Sequence, residues 1–161
     1  MGGSAIIDGE YHSETNNFLI CSFFVDGLEY SSSENYFQSV KANKKEDKEF
    51  VRKEGSTGMK AWNLGNSVEI RPDWDAIRVE VMYQGNKAKF EQNKSFIEEL
   101  IKTKGIIVFK SSTNFWNYWN GKIMERLRAE FRDTEEDRKV AEEITGLMSK
   151  YREEKKNKNN C

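Results

Sequence analysis

The stretch from Arg71 to Gly105 has the longest helical hydrophobic periodicity in the chain. One apolar stripe at helical spacing consists of Trp74, Ile77, Val81 and Met82, and a second consists of Phe96, Leu100 and Ile101. Apolar residues that recur every three or four positions lie on one side of an α-helix and predict that this side is buried. We therefore expect a long helical region here, kinked or divided near Gly85 and Asn86, and a core built mostly from helices.

The remaining segments predict further helices and a few short strands. The stretch NNFLICSFFVDGLEY (16–30) predicts one or two strands with a hairpin turn at Asp26-Gly27. The serines before Glu34 are suited to cap a helix that runs to about Lys45. A short charged helix then ends at Gly55, because glycine is common just after a helix C-terminus.

Towards the C-terminus, GIIVF (105–109) predicts a short buried strand, and the aromatic stretch 114–121 predicts irregular structure. Helical patterns follow at 122–131 and 133–150. The fold class expected is mainly α: a compact single domain of packed helices with a few short β-strands. Residues 1–15 are expected to form a flexible lead-in, residues 16–150 the folded domain, and residues 151–161 a disordered charged tail.

Composition narrows the possible classes of protein. The chain has 161 residues, with 26 basic and 27 acidic side chains, so its net charge is near −1. This balance argues against sequence-independent affinity for nucleic acid, which normally needs a basic excess. Two cysteines are too few for a disulfide framework or a metal cluster, and the opening has no long apolar run. We expect a soluble intracellular protein, cytoplasmic or nuclear, that does not bind membranes.

The segment SSSENYFQSVKA (31–42) contains the first candidates for chemistry. Positions 34 and 41 are seven residues apart, about 10.5 Å along a helix, and lie on the same side. Glu34, Gln38 and Lys41 therefore share one side of the helix, from which their side chains could reach one ligand, although the spacing is too long for a tight ion pair between Glu34 and Lys41. The alternative is a solvated helix face beside an apolar stripe, and spacing alone favours this alternative.

A second candidate is the aromatic cluster around Trp116, Asn117 and Trp119. Aromatic rings interleaved with asparagines suit a purine, which stacks on the rings and hydrogen-bonds to the amides. The same residues suit a small satellite core equally well. His12 is the only histidine, and no metal-ligand spacing or glycine-rich phosphate loop is present. An enzyme with this sequence would therefore work with carboxylates and lysines, without a metal or cofactor.

Several motifs in order resemble the NADAR (YbiA-like) family. SSSENYFQSVKA resembles the family signature of Ser-Ser-Glu, an aromatic pair, Gln and then Lys-Ala. GMKAWNLGNSVEIRPDW, RVEVMYQGNKAKFEQN and LIKTKG are similar to later family segments, and TNNFL and VDGLEY are similar to earlier ones. The resemblance covers roughly Asn16 to Phe131, and several ordered motifs are far more specific than any one of them.

The resemblance implies a small, mostly helical hydrolase of N-glycosidic bonds. Described family activities remove ADP-ribose from guanine in nucleic acid or split ribosylamino intermediates of riboflavin synthesis, and some members accompany ADP-ribosyltransferase toxins. Carried over by position, Glu34 and Lys41 are the expected catalytic residues. The expected substrate-binding residues are Asn17, Phe18, Ser33, Gln38 and Trp74, together with Lys60 and Arg78 for a diphosphate and Trp116, Asn117 and Trp119 for the base.

The sequence departs from the family pattern near its C-terminal end. Phe109 replaces a glutamate of the family strand, Asn114 lies near its aspartate, and Trp116-Asn117 replaces Trp-Gly. We expect these changes to affect the choice of substrate more than the chemistry. The function expected is removal of ADP-ribose from guanine bases of DNA or RNA, with a cognate ADP-ribosyltransferase as a partner. The alternatives are an N-glycosidase of the riboflavin pathway and a non-catalytic ADP-ribose-binding module.

Overall fold

The structure, a computed structural model, describes residues 2–160. Within that range it has seven α-helices, one 3-10 helix and two two-stranded antiparallel sheets. The strands are β1 (Ala5–Ile7), β2 (Glu10–His12), β3 (Phe23–Val25) and β4 (Leu28–Tyr30), with the 3-10 helix at Ser13–Thr15. The helices are α1 (Ser33–Lys41), α2 (Lys45–Glu54), α3 (Gly58–Gly65), α4 (Trp74–Glu91), α5 (Lys94–Lys102), α6 (Asn114–Arg132) and α7 (Glu135–Asn159). The expected mainly α fold is confirmed.

Both sheets are hairpins closed by an Asp-Gly pair. Asp26 and Gly27 connect β3 to β4, and both have positive φ angles, of 51° and 77°. This is the backbone that a two-residue hairpin turn requires and that an Asp-Gly sequence favours. The predicted hairpin is therefore confirmed, and a second one joins β1 to β2 through Asp8-Gly9.

The two ends of the chain differ from the sequence expectation. Residues 5–15, expected to be a flexible lead-in, form β1, β2 and the 3-10 helix, and Ala5 and Ile7 are completely buried. Ile6 also exchanges two backbone hydrogen bonds with Val108, at 2.9 and 3.1 Å. At the other end, residues 151–159 continue α7 instead of forming a disordered tail, and the Tyr151 hydroxyl donates to the Asp75 carbonyl at 2.7 Å.

Three interior boundaries also differ. The aromatic stretch expected to be irregular forms the first turns of α6, because the Thr113 hydroxyl caps this helix by accepting the Trp116 amide N–H at 3.3 Å. The long helical region divides at Gln92-Asn93, whereas Gly85 lies inside α4, where the Tyr36 ring packs closely against it. The segment 105–109 was expected to be a buried strand. Among the described residues, its only β-pairing is the isolated bridge between Val108 and Ile6, so it is not a strand.

The main core is formed by buried residues of α1, α4, α5, α6 and α7 together with β1. It includes Ile7, Phe37, Trp74, Met82, Phe90, Leu100, Trp116, Ile123, Leu127, Ile144 and Met148. Helix α1 packs against α2, α3 and α4, so the helix that carries Glu34 and Lys41 is enclosed on several sides. Among the described residues, no helix is both long enough and apolar enough to span a membrane.

Candidate active site

Helix α1 begins with a serine cap that fixes the position of Glu34. The Ser32 hydroxyl accepts the amide N–H of Asn35 at 3.0 Å, which satisfies one of the free N–H groups of the first turn. The backbone N–H of Glu34 donates to the carbonyl of Asn17 at 2.9 Å. The start of α1 is thereby attached to the loop after the 3-10 helix.

Glu34, Gln38 and Lys41 form a continuous polar row along α1. Gln38 Nε2 donates to Glu34 Oε1 at 2.7 Å, and Lys41 Nζ donates to Gln38 Oε1 at 3.4 Å. Glu34 and Gln38 are buried, whereas Lys41 is half-buried. The structure thus brings the three predicted residues together, with the Gln38 amide bridging the carboxylate and the ammonium group.

The environment of Lys41 shifts its proton equilibrium. Desolvation lowers the pKa of Lys41 from its usual value, and the negative charge of Glu34 partly opposes this by raising it. A lower pKa increases the fraction of neutral amine at a given pH. Neutral amine is the nucleophilic form, so the direction of this shift is the one that a nucleophilic lysine requires.

Helix α3 lies against the polar row with two glycines at the contact. A Cβ atom added to Gly65 would lie 2.6 Å from Gln38 Cδ, and one added to Gly58 would lie 2.7 Å from Phe18 Cβ. Both distances are shorter than side chains tolerate, so these positions require glycine for the close approach. Helix α3 therefore holds Gln38 and Phe18 in place.

Asn17 and Ser33 meet at a buried amide that sequence reasoning did not select. Asn86 of α4 donates to Asn17 Oδ1 at 2.9 Å and accepts the Ser33 hydroxyl at 3.2 Å. Asn17 Nδ2 in turn donates to Asn120 Oδ1 of α6 at 3.3 Å. The contacts join positions 53 to 103 residues apart, and a single polar residue within a helix gives no sequence signal for such a network.

The aromatic candidates are packed in the core. The Phe37 ring lies 4.7 Å from Trp74 and 5.2 Å from Trp116, centroid to centroid, in edge-to-face geometry. Trp119 is also buried and contacts Tyr151 of α7 at 5.4 Å. Of the two interpretations left open by the sequence, this packing favours the core over an exposed stacking platform for Trp116 and Trp119.

Three other predicted residues lie in different contexts. Arg78 donates to the Tyr151 hydroxyl at 2.9 Å, and its guanidinium lies 3.9 Å from the centre of the Phe115 ring. Asn117 makes two hydrogen bonds of 3.0 Å with the backbone of Ser112 and fastens the loop before α6. Lys60 is exposed on α3. The contacts of Arg78 and Asn117 hold helices and a loop together and do not join the polar row.

A small cavity lies beside the Asn17 loop. Its volume is about 250 Å³, and it is lined by Gly2, Gly3, Asn16, Phe18, Ser111 and Ser112. The Ser111 hydroxyl also accepts the Gly3 N–H at 2.7 Å. The cavity borders Phe18, a predicted substrate-binding residue, and its lining does not include Glu34, Gln38 or Lys41.

Fold and site together define a class of small, mainly α-helical proteins with a carboxylate, an amide and a lysine aligned on one buried helix. Residues 7–132 match the NADAR domain family, and the chain belongs to that family. The match includes β2, both hairpin turns and helices α1 to α6, so it covers every predicted site residue.

Named relatives and a solved structure resemble the chain over most of its length. It is 30% identical over 122 residues to proteins named N-glycosidase YbiA from Escherichia coli and Shigella boydii, covering 72% of this chain and 75% of each relative. It is 34% identical over 96 residues to a riboflavin biosynthesis protein of Vibrio vulnificus, covering 58% of this chain and 26% of that protein. The NMR structure of E. coli YbiA superposes with a TM-score of 0.67 at 26% identity, covering 74% of this chain and 78% of that one.

Proposed function

We propose that the protein is an N-glycosidase that hydrolyses the bond between ribose C1 and a base nitrogen, with ADP-ribosylated guanine in nucleic acid as its substrate. The observation that carries the proposal is the row Glu34–Gln38–Lys41, in which one amide bridges a buried carboxylate and a half-buried lysine. Membership of the NADAR family and the likeness to relatives named as N-glycosidases support the reaction type.

Glu34 has the role of general acid and base in this proposal. Cleavage of a C1–N bond requires a proton on the departing nitrogen and a water molecule whose oxygen becomes the anomeric hydroxyl. One carboxyl group can deliver the proton and then accept one from water, as in other glycosidases. The 2.7 Å hydrogen bond from Gln38 restricts the rotation of the Glu34 carboxylate, so the catalytic oxygen has a fixed direction.

Lys41 has one of two roles, and both use its partly desolvated amine. In the first, neutral Nζ attacks C1 of the opened ribose, the bond from C1 to the base nitrogen breaks as that nitrogen takes a proton from Glu34, and water later hydrolyses the resulting Schiff base. In the second, the charged ammonium holds a ribose hydroxyl or a phosphate oxygen. Borohydride distinguishes them, because it reduces a Schiff base to a stable covalent adduct on Lys41 and leaves an ion pair unmodified.

The similarity to the Vibrio protein named for riboflavin biosynthesis favours a second candidate. In this candidate the same residues cleave an N-ribosyl bond in a small-molecule intermediate of that pathway. The chemistry at C1 is unchanged, and only the group beyond the nitrogen differs. The departures at Phe109, Asn114 and Trp116-Asn117 lie in the region expected to influence this choice.

The test measures free ADP-ribose after incubation with an oligonucleotide that carries ADP-ribosylated guanine. Wild type should release ADP-ribose, Glu34→Gln should release it at least about 100-fold more slowly, and Glu99→Gln, which changes an exposed carboxylate on α5, should match wild type. Turnover of a ribosylamino pyrimidine alone would favour the second candidate. Tight ADP-ribose binding without turnover of either substrate would contradict an enzymatic role and indicate a binding module.

A further inference from the structure

Asn86 connects three parts of the fold through one side-chain amide. It is buried in the middle of α4, and its amide nitrogen donates both to Asn17 Oδ1 at 2.9 Å and to the Met82 carbonyl at 3.0 Å. Its amide oxygen accepts the Ser33 hydroxyl at 3.2 Å. A buried polar group of this kind is costly unless it is hydrogen-bonded, and Asn86 is hydrogen-bonded on both sides.

Across the network, each side chain donates a hydrogen bond to the next one in the same order. Ser33 donates to Asn86, Asn86 donates to Asn17, and Asn17 donates to Asn120. Each amide therefore has its oxygen towards one neighbour and its nitrogen towards the next. Because Asn86 bonds to both Ser33 and Asn17, the orientation of its amide is coupled to the orientation of the Asn17 amide.

The network is attached to the backbone of Glu34, the proposed catalytic residue. The Asn17 carbonyl accepts the Glu34 N–H at 2.9 Å, and Ser33 directly precedes Glu34 at the start of α1. One turn further along α4, Lys89 Nζ donates to the Asn16 carbonyl at 3.2 Å. Asn86 and Lys89, one turn apart on α4, thus both bind the loop that accepts the Glu34 N–H.

We propose that Asn86 is a positioning residue for the N-glycosidase reaction: it holds Asn17 and Ser33 so that the first turn of α1 directs Glu34 at the scissile bond. The inference rests on the proposed function for its catalytic consequence. Asn86 does not itself touch the reacting atoms in this account. A displacement of about 1 Å in a catalytic group costs on the order of 100-fold in rate, so loss of this link should lower kcat more than it raises KM.

The sharpest variant is Asn86→Asp, because its protonation state decides which hydrogen bonds it makes. An ionised carboxylate accepts from Ser33 but faces Asn17 Oδ1 with a second acceptor, whereas a protonated carboxyl group can accept from Ser33 and donate to Asn17. Burial raises the pKa of a carboxyl group, so protonation should occur at mildly acidic pH. Asn86→Leu removes both hydrogen bonds at every pH.

The control is Tyr83→Phe, on the same helix and equally buried. This change removes the hydrogen bond from the Tyr83 hydroxyl to Glu130, at 2.6 Å, on a contact between α4 and α6. It costs stability without touching Asn17 or Ser33. Charged side chains on the elements around Asn86 include Glu34 and Lys41 on α1, Lys89 on α4 and Glu14 on the 3-10 helix, so wild type and Asn86→Leu are measured at each pH as references.

The expected result is a kcat for Asn86→Asp about 10- to 100-fold below wild type at pH 8, with KM changed less than threefold, and recovery towards wild type at pH 5. Asn86→Leu should stay low at both pH values, and Tyr83→Phe should match wild type. A pH-independent ratio of Asn86→Asp to wild type, or a loss of kcat in Tyr83→Phe equal to that in Asn86→Asp, would overturn the proposal.

The amide signal of Glu34 in a ¹H–¹⁵N NMR spectrum provides a readout that needs no substrate. Between pH 5 and pH 8, this signal should change in Asn86→Asp differently from wild type, and in Tyr83→Phe it should change as in wild type. If wild type hydrolyses no ribosylated substrate, the proposed function fails, and this signal alone still decides on the positioning role. A Glu34 signal in Asn86→Asp that matches wild type at both pH values would overturn that role.

Discussion

Gly65→Ala tests whether Gln38 is held against α3 as the structure shows. The added methyl carbon would lie 2.6 Å from Gln38 Cδ and 2.9 Å from Gln38 Cβ, so either Gln38 or the end of α3 has to move. Gln38 is buried and bridges Glu34 and Lys41, and displacing it would disturb both hydrogen bonds. Gly65 has no positive φ angle, so alanine brings no backbone strain of its own.

Two opposing effects determine the size of the change in stability. Alanine in place of glycine stabilises a helix interior by about 1 kcal/mol, and by less at the last residue of a helix such as Gly65. Overpacking costs about 1–3 kcal/mol, and weakening the charge-assisted hydrogen bonds of Gln38 adds about 1 kcal/mol or more. We therefore expect the free energy of unfolding to fall by about 2 kcal/mol.

Urea denaturation measures this change, with Gly146→Ala as the matched control. An added Cβ at Gly146 in α7 meets nothing within 4 Å, so this variant should gain about 0.5–1 kcal/mol. Turnover by Gly65→Ala should also fall at least tenfold, because the Glu34 carboxylate loses its fixed direction. If Gly65→Ala gains stability as Gly146→Ala does and keeps full turnover, the packing described for Gln38 is refuted.

Three further predictions concern single ionisable groups. Lys89 is fully buried, and its pKa is lowered to about 8, chiefly by desolvation. Below pH 8 the charged Lys89 therefore lowers the free energy of unfolding by about 3 kcal/mol, and this cost should disappear as the pH rises from 8 to 10.5. Wild type should therefore gain stability relative to Lys89→Met over this range in urea denaturation, and a constant difference would contradict the buried charge. In Glu34→Gln, NMR titration should show a lower pKa for Lys41 than in wild type, because the carboxylate charge that raises this pKa is gone. An unchanged pKa would contradict the electrostatic interaction between Glu34 and Lys41. Tyr83→Phe should lose about 1–2 kcal/mol in urea denaturation with turnover unchanged, because its hydroxyl donates to the Glu130 carboxylate at 2.6 Å; an unchanged stability would contradict this contact.

Local signals in the sequence predict the elements whose residues determine their own backbone. Asp26-Gly27 specifies the β3–β4 hairpin because both positions need a positive φ angle. The serines before Glu34 specify the start of α1, and the spacing of Glu34, Gln38 and Lys41 places them in one row. These features depend on a few neighbouring residues, so no tertiary information is needed.

Features that depend on distant contacts were predicted poorly. The stretch 114–121 was expected to be irregular because it is rich in aromatic residues and asparagine, yet the Thr113 cap and burial of Trp116 and Trp119 make it helical. Residues 5–7 form a strand because Ile6 pairs with Tyr11 and Val108. Local propensity is too weak to decide such segments when tertiary packing supplies most of the stability.

The candidate site also has one part that local sequence signals predict and one part that depends on distant contacts. The row on α1 follows from helical spacing, but the position of the Asn17 loop depends on Asn86, which is 69 residues away in sequence. Arg78 was expected to bind a diphosphate, but in the structure it contacts Phe115 and Tyr151. The sequence around a basic residue does not indicate which aromatic ring that residue contacts in the fold.

The central claim is that Glu34 catalyses cleavage of an N-glycosidic bond. Its most direct test is the single-turnover rate of ADP-ribose release from an oligonucleotide with ADP-ribosylated guanine, measured for wild type and Glu34→Gln at equal protein concentration. General acid–base catalysis contributes typically 10²- to 10⁴-fold, so the account predicts that Glu34→Gln is slower by about that factor while remaining folded. Equal rates for the two proteins would contradict it.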